Sequence, residues 1–97
     1  MEPILTTDEI NSALKILPGW ECGKGSLIAT YRFPNFVQAF GFMTSVALEA
    51  ERMNHHPDWW NSYNEVRIEL SSHSARGITQ KDILLARKIQ ELATLRG

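Results

Sequence analysis

The sequence predicts an α+β domain with the order α-β-β-α-β-β-α, in which three helices pack on one face of a four-stranded antiparallel sheet. Three segments with helical periodicity each begin at a possible capping box, and two pairs of short alternating segments are each joined by a tight turn. A sheet that is covered by helices on one face leaves its opposite face free for a ligand or a partner.

The first helix and the first hairpin make up the N-terminal third of the chain. Thr6 and Glu9 have the spacing of a capping box, and helical periodicity follows until Pro18 stops it. Two strands at 20–22 and 27–33 flank a turn that contains two glycines. The apolar positions of the helix are Ile10, Ala13, Leu14 and Leu17. One face of the second strand carries Leu27, Ala29, Tyr31 and Phe33.

The longest helical pattern begins at Asn35, which can cap a helix together with Gln38 three residues later. Its apolar stripe consists of Phe36, Ala39, Phe40, Met43, Val46, Ala47, Ala50 and Met53. This stripe is broader than one packed face needs, and a chain of 97 residues has only a marginal core of its own. We therefore expect the helix to contact a second copy in a homodimer or a homotetramer.

A second hairpin and a third helix complete the pattern. Strands at 59–63 and 66–71 alternate on either side of a turn at 64–65. Thr79 and Asp82 have the spacing of a third capping box. The apolar positions of the last helix are Ile83, Leu85, Ala86, Ile89, Leu92 and Ala93.

The composition fits one small domain at 1–97 and excludes several classes of function. Ten basic and eleven acidic residues give a net charge of −1. This balance does not predict the basic surface that binding to nucleic acid or to an anionic membrane requires. No apolar stretch is long enough to span a bilayer, and the N-terminus lacks the basic and apolar regions of a signal peptide. Cys22 is the single cysteine, so no intrachain disulfide can form. We expect a cytoplasmic protein in a reducing compartment.

Three histidines are the residues best suited to chemistry. His55 and His56 follow the second helix, and His73 follows the fourth strand. Imidazole has an unperturbed pKa of about 6.5, so two rings in one pocket can divide a pair of proton transfers. Exposed loop and turn residues are the alternative interpretation. We expect no metal, because adjacent histidines in extended chain point opposite ways and no His-x-x-x-His or Cys-x-x-Cys pair supports them.

The acidic and aromatic residues near the histidines also have structural explanations. Glu51 is consistent with a solvated helix residue, and the third capping box is sufficient to account for Asp82. Trp59, Trp60 and Tyr63 could line a pocket, but alternating aromatic residues in a strand usually belong to the core.

One long signature runs through the second half of the chain. Its positions, at fixed intervals, are Glu51, His55, His56, Pro57, Tyr63, His73 and Asp82. This signature resembles that of the pterin-4a-carbinolamine dehydratase family. The similarity extends over about 20–89 and includes the helical segment Ala39-Phe40-Gly41-Phe42-Met43-Thr44.

The resemblance implies the same α-β-β-α-β-β-α fold and a reaction. Family members dehydrate 4a-hydroxytetrahydrobiopterin to quinonoid dihydrobiopterin, which recycles tetrahydrobiopterin for aromatic amino acid hydroxylases, and they need no metal or organic cofactor. The resemblance implies that His55, His56 and His73 are the catalytic histidines, with His55 and His73 as the acid/base pair and His56 mainly binding and orienting the pterin. It also implies a set of substrate-binding residues: Glu51, His55, His56, Pro57, Ser72, His73, Ser74, Ala75 and Asp82.

The resemblance bears on partners too. Family members assemble as homodimers or homotetramers, and animal-type members also partner a homeodomain transcription factor. A related pterin, such as one serving molybdenum cofactor metabolism, is a further alternative. Many relatives have an aspartate where this chain has Asn54, and Ser74 and Ala75 also differ from the animal forms. Asparagine offers no charge near the histidine pair, which leaves the pH optimum open.

Overall fold

The computed structural model describes residues 2–96, so Met1 and Gly97, the two ends of the predicted domain, lie outside the described residues. The described part has three helices and four strands in the predicted order, which confirms the fold class. The elements are α1 (Thr7–Leu14), β1 (Glu21–Gly23), β2 (Ser26–Arg32), α2 (Phe36–Met53), β3 (Asp58–Ser62), β4 (Glu65–Leu70) and α3 (Gln80–Arg96).

The four strands form one antiparallel sheet with the order β1-β2-β4-β3. The two hairpins therefore join through β2 and β4, and β1 and β3 form the edges. Asp58 at the start of β3 pairs with Glu69 near the end of β4. The segments before β3 and after β4 consequently meet at the same end of the sheet, and these are the segments that carry the histidines.

The core lies between the helices and the inner face of the sheet. The predicted face of β2 is buried at Leu27 and Ala29, and β4 buries every second residue from Val66 onward. The core includes Leu27, Ala29, Phe42, Val46, Val66, Ile68, Leu70, Leu85 and Ile89, all of them at most 4% exposed. Alternate burial along the strands follows from the two-residue repeat of a pleated sheet.

The buried face of α2 differs in part from the prediction. Ala39, Val46 and Ala50 are buried as expected, but Phe42, which the predicted stripe omits, is the large core residue of this helix. Phe36 and Phe40 are instead 46% and 55% exposed. Phe42 packs against Tyr31 and Phe33, with ring centroids 5.3 and 4.8 Å apart, and this contact with the sheet sets the rotation of the helix.

The element ends follow local chemistry, with several shifts from the prediction. The strands of the first hairpin, predicted at 20–22 and 27–33, are Glu21–Gly23 and Ser26–Arg32. The capping box of Thr6 and Glu9 is formed in both directions, but α1 ends at Leu14, so Leu17 is buried beyond the helix. The second hairpin turns at Tyr63 and Asn64 rather than at 64–65, which moves both strands by one residue. Tyr63 takes a left-handed φ of 50° and is 62% exposed.

Within residues 2–96, no helix combines the length and the apolar character needed to cross a lipid bilayer.

Candidate active site

A cavity of about 440 Å³ lies at the end of the sheet where β3 begins and β4 ends. It brings together the three histidines, which are separate in the sequence. Its volume is within the usual range for small-molecule sites. The lining residues are Glu2, Asn54, His55, His56, Pro57, Asp58, Ser71, Ser72, His73, Ser74 and Lys81.

The C-terminal end of α2 directs the histidine pair into this cavity. Asn54 takes the left-handed conformation, with φ 52° and ψ 44°. The backbone N–H of His55 donates to Ala50 O at 3.0 Å, and that of Asn54 donates to Glu51 O at 3.1 Å. These are the two hydrogen bonds of a Schellman motif, which favours glycine or asparagine at the left-handed position. The left-handed position at the end of α2 therefore explains why asparagine suits position 54 in this chain.

His55 is held by a buried carboxylate. His55 Nε2 lies 2.5 Å from Asp82 Oδ1, and the two side chains are 11% and 0% exposed. The other oxygen, Asp82 Oδ2, accepts from the Ser72 hydroxyl at 3.0 Å and from the Thr79 backbone N–H at 2.9 Å. The Ser72 and Thr79 hydroxyls are 2.7 Å apart. Asp82 thus fills one half of the predicted capping box and also orients a histidine.

This network determines which nitrogen of His55 carries the proton. An ionised carboxylate only accepts hydrogen bonds, so the N–H of His55 must lie on Nε2. In the neutral ring Nδ1 is then the acceptor. A ring with a fixed orientation and one free acceptor nitrogen can take a proton from a molecule in the cavity.

The other two histidines pair with exposed carboxylates. His56 Nε2 lies 2.8 Å from Glu51 Oε1, with the side chains 56% and 79% exposed. His73 Nε2 lies 3.4 Å from Asp58 Oδ2, with both side chains about 70% exposed (74% and 69%). Exposed ion pairs of this kind hold a side chain only weakly. Of the three rings, His55 is therefore the one with a fixed position.

The cavity includes some of the predicted substrate-binding residues and not others. Pro57, Ser72 and Ser74 line it, together with the histidines. Three others do not: Glu51 and Asp82 lie behind the histidines that they hold, and Ala75 is packed at 7% exposure. Tyr63 lies at the opposite end of β3.

Five lining residues are not among the predicted site residues. They are Glu2, Asn54, Asp58, Ser71 and Lys81. Asp58 and Lys81 adjoin the signature positions Pro57 and Asp82, Asn54 precedes His55, and Ser71 precedes the predicted Ser72, so proximity in sequence was an available signal for these four. Glu2 is more than fifty residues from the nearest histidine in sequence, and no local pattern identifies it.

A second, shallower cavity of about 590 Å³ lies over the open face of the sheet. Trp59 and Trp60 line it, and Trp60 is 52% exposed rather than part of the core. Asp58 borders both cavities. Within residues 2–96, no three His, Cys, Asp or Glu side chains are grouped in a way that could hold a metal ion.

The fold agrees with the similarity of the chain to a known protein family. The chain belongs to the pterin 4 alpha carbinolamine dehydratase family, whose model matches residues 3–92. A Solibacter usitatus protein is 51% identical over 89 residues, which is 92% of this chain and 94% of that protein. A Brucella ovis protein is 44% identical over 91 residues, with the same shares of 92% and 94%. Both are named pterin-4-alpha-carbinolamine dehydratase provisionally.

Solved structures agree as well. A crystal structure from Brucella melitensis, described as a transcriptional coactivator/pterin dehydratase, superposes with a TM-score of 0.91 at 43% identity. The match covers 94% of this chain and 99% of that chain. A pterin dehydratase-like RuBisCO assembly factor of the alpha-carboxysome has a TM-score of 0.64 at 19% identity over 76% of this chain and 86% of its own, which shows the common fold alone.

Proposed function

We propose that this protein is a dehydratase that removes water from 4a-hydroxytetrahydrobiopterin to give quinonoid dihydrobiopterin. The observation that carries the proposal is that His55, held by the buried Asp82, shares one cavity with His56 and His73. Membership of the family supports the same reaction. The product would return to tetrahydrobiopterin and serve aromatic amino acid hydroxylases.

The reaction needs two proton movements. The bond between C4a and its hydroxyl oxygen breaks, the N5–H bond gives up its proton, and a C4a=N5 double bond forms. An acid donates a proton to the departing hydroxyl, which leaves as water, and a base takes the proton from N5. The number of protons on the protein is unchanged over a cycle once the two groups exchange one through solvent. No metal or organic cofactor enters this scheme.

The three histidines suit different parts of this task. We assign the base to His55, because Asp82 fixes its ring and leaves Nδ1 as the acceptor. His73 is more exposed and more loosely held, so it can protonate the hydroxyl and recover a proton from solvent. His56, paired with Glu51, would bind and orient the pterin.

The test measures dehydration of 4a-hydroxytetrahydrobiopterin by the wild type, His55→Ala and His73→Ala. General acid or base catalysis contributes about 10²–10⁴-fold, so each variant should lose roughly that factor in kcat while remaining folded. His56→Ala should affect KM more than kcat. Asn11→Ala, an exposed change on α1, is the control that should match the wild type. Near-wild-type rates in both His55→Ala and His73→Ala would refute the catalytic assignment.

We also propose that the protein is a homo-oligomer and that α2 forms its contact. Phe36, Val37, Phe40 and Leu48 expose apolar surface along this helix, at 46%, 75%, 55% and 67%. Exposed apolar surface of this kind marks an interaction site more often than a solvated face. The Brucella melitensis relative is also described as a transcriptional coactivator. A binding role of that kind in this chain would use a helix surface rather than the histidines.

A further inference from the structure

The histidine cavity contains two charged side chains that have no partner within residues 2–96. Each histidine pairs with a different carboxylate, and Asp58 is the partner of His73. Of the charged residues that line the cavity, Glu2 and Lys81 remain. Neither makes a hydrogen bond or an ion pair within residues 2–96, with each other or with any other residue, and both are half-buried.

A charged side chain that is half-buried loses part of its hydration, and within residues 2–96 neither of these two gains a hydrogen bond or an ion pair in return. Glu2 and Lys81 reach the same cavity from opposite ends of the sequence. A ligand that offers N–H donors to the carboxylate and an oxygen acceptor to the ammonium would complete both. The cavity therefore has unused binding capacity for one particular pattern of donors and acceptors.

The backbone fixes where Glu2 can reach. The N–H of Leu5 donates to Ile78 O at 2.9 Å, which attaches the N-terminal segment to the connection before α3. Ile4 lies against Gly77, where a Cβ atom would be only 3.2 Å from Ile4 Cγ2. This close approach places the segment against the connection that leads into α3, and Lys81 is the second residue of that helix.

We propose that Glu2 and Lys81 bind the pyrimidine edge of the pterin and set a preference for 2-amino-4-oxo pteridines. That edge presents the 2-amino group, N3–H and the 4-oxo oxygen in a row, which is two donors beside one acceptor. A carboxylate can accept from both donors at once, and the ammonium can donate to the oxygen. The ligand class rests on the proposed function. Glu2 lies just outside residues 3–92, which the family model matches.

Fluorescence titration with two probes tests this proposal. Pterin has the 2-amino group, and lumazine has an oxygen in its place but keeps the 4-oxo group. The wild type should bind pterin more tightly than lumazine. Glu2→Gln should weaken pterin binding about tenfold, as expected for a charged hydrogen bond that is partly exposed, and should narrow the preference over lumazine. Lys81→Gln should weaken both probes alike.

The matched controls are Glu21→Gln on β1 and Lys88→Gln on α3, which make the same chemical changes at exposed positions outside the cavity and should bind both probes like the wild type. In the dehydration assay Glu2→Gln should raise KM more than it lowers kcat.

The outcomes separate this proposal from the proposed function. Wild-type pterin affinity and preference in Glu2→Gln would overturn the recognition proposal and leave the dehydratase assignment standing. A wild type that binds pterin with the predicted variant pattern but has no turnover would support recognition and overturn the reaction. A wild type that neither binds nor turns over would overturn both.

Discussion

Asp82 is a single side chain with three hydrogen bonds, and two of them attach other parts of the chain to α3. It orients His55 through one oxygen and receives Ser72 and the Thr79 N–H at the other. It is fully buried, so in the proposed reaction it would position the histidine rather than touch the pterin. A change at this position should therefore affect catalysis and stability together.

We predict that Asp82→Asn lowers kcat by about 10–100-fold and the free energy of unfolding by about 1–3 kcal/mol. The amide N–H₂ group replaces one of the two oxygens. It then either faces His55 and reverses its tautomer, or faces Ser72 and the Thr79 N–H and leaves that N–H unsatisfied. Steady-state kinetics and urea unfolding measure the two effects. Glu51→Gln is the comparison, since its pair with His56 is exposed and should affect stability little. Wild-type kcat in Asp82→Asn would contradict the positioning role.

Tyr31 connects β2 to α3 and to the segment before β1, away from the cavity. Its hydroxyl accepts from Trp20 Nε1 at 2.8 Å and donates to Gln90 Oε1 at 2.6 Å. Burial raises the pKa of Tyr31 to about 12, although the hydrogen bond from Trp20 lowers it slightly. In the unfolded chain the phenol ionises near pH 10. Between these values the unfolded state holds fewer protons, so the contribution of Tyr31 to stability is lost as pH rises from 10 to 12.

Tyr31→Phe should cost about 1–3 kcal/mol of unfolding free energy below pH 10, because Trp20 and Gln90 lose their partner. The difference between variant and wild type should shrink from pH 10 towards pH 12, where the wild type loses this contribution. Urea unfolding at several pH values measures it, and the comparison cancels the titration of other groups. A difference that stays constant up to pH 12 would show that ionisation of the Tyr31 phenol does not lower the stability of the wild type in this range.

At the scale of elements, the end of α2 determines where the histidine pair lies. Asn54→Ala should cost about 1 kcal/mol, because alanine is disfavoured in the left-handed conformation that Asn54 adopts. Asn54→Gly keeps that conformation available and should preserve stability. Urea unfolding and dehydration rates of both variants measure the effect. Equal stability of the two variants would mean that the Schellman motif has no energetic role here.

The elements were predictable from sequence because caps, turns and periodicity depend on neighbouring residues. The capping box of Thr6 and the cap at Asn35 are formed as the sequence indicates. The helix face was less predictable, since Phe40 and Phe42 are both apolar and only packing against Tyr31 and Phe33 decides which is buried. A turn at Tyr63 is also difficult to predict, because a bulky side chain rarely adopts a positive φ.

At the scale of the whole molecule, the exposed face of α2 predicts assembly. Sedimentation at micromolar concentration should give a species of at least twice the 11.0 kDa monomer. Phe40→Lys should shift it towards the monomer, because a charge would have to be desolvated within the contact. Ile16→Lys, at a residue 61% exposed near the end of α1, is the matched control and should not. A wild-type monomer at these concentrations would refute the assembly proposal.

The site was only partly predictable, because some of its residues meet only through the arrangement of the whole chain. The signature identifies the histidines together with Glu51 and Asp82, which pair with His56 and His55. The partner of His73 is not in the signature, because it depends on the strand order β1-β2-β4-β3, which brings Asp58 beside the segment after β4. Glu2 reaches the cavity only because the N-terminal segment is attached to Ile78. Contacts between distant parts of the chain leave no periodic trace in a single sequence.

The cavity has no intact form in the unfolded chain, because its walls come from residues 2, 54–58, 71–74 and 81. A ligand that binds there binds the native state alone, and mass action then stabilises the whole fold. At a concentration one hundred times its Kd, such a ligand adds about 2.7 kcal/mol. For a domain of this length that is roughly 10–20 °C in Tm. The melting temperature of the chain is therefore a measure of how well any given pteridine fits, independent of whether it reacts.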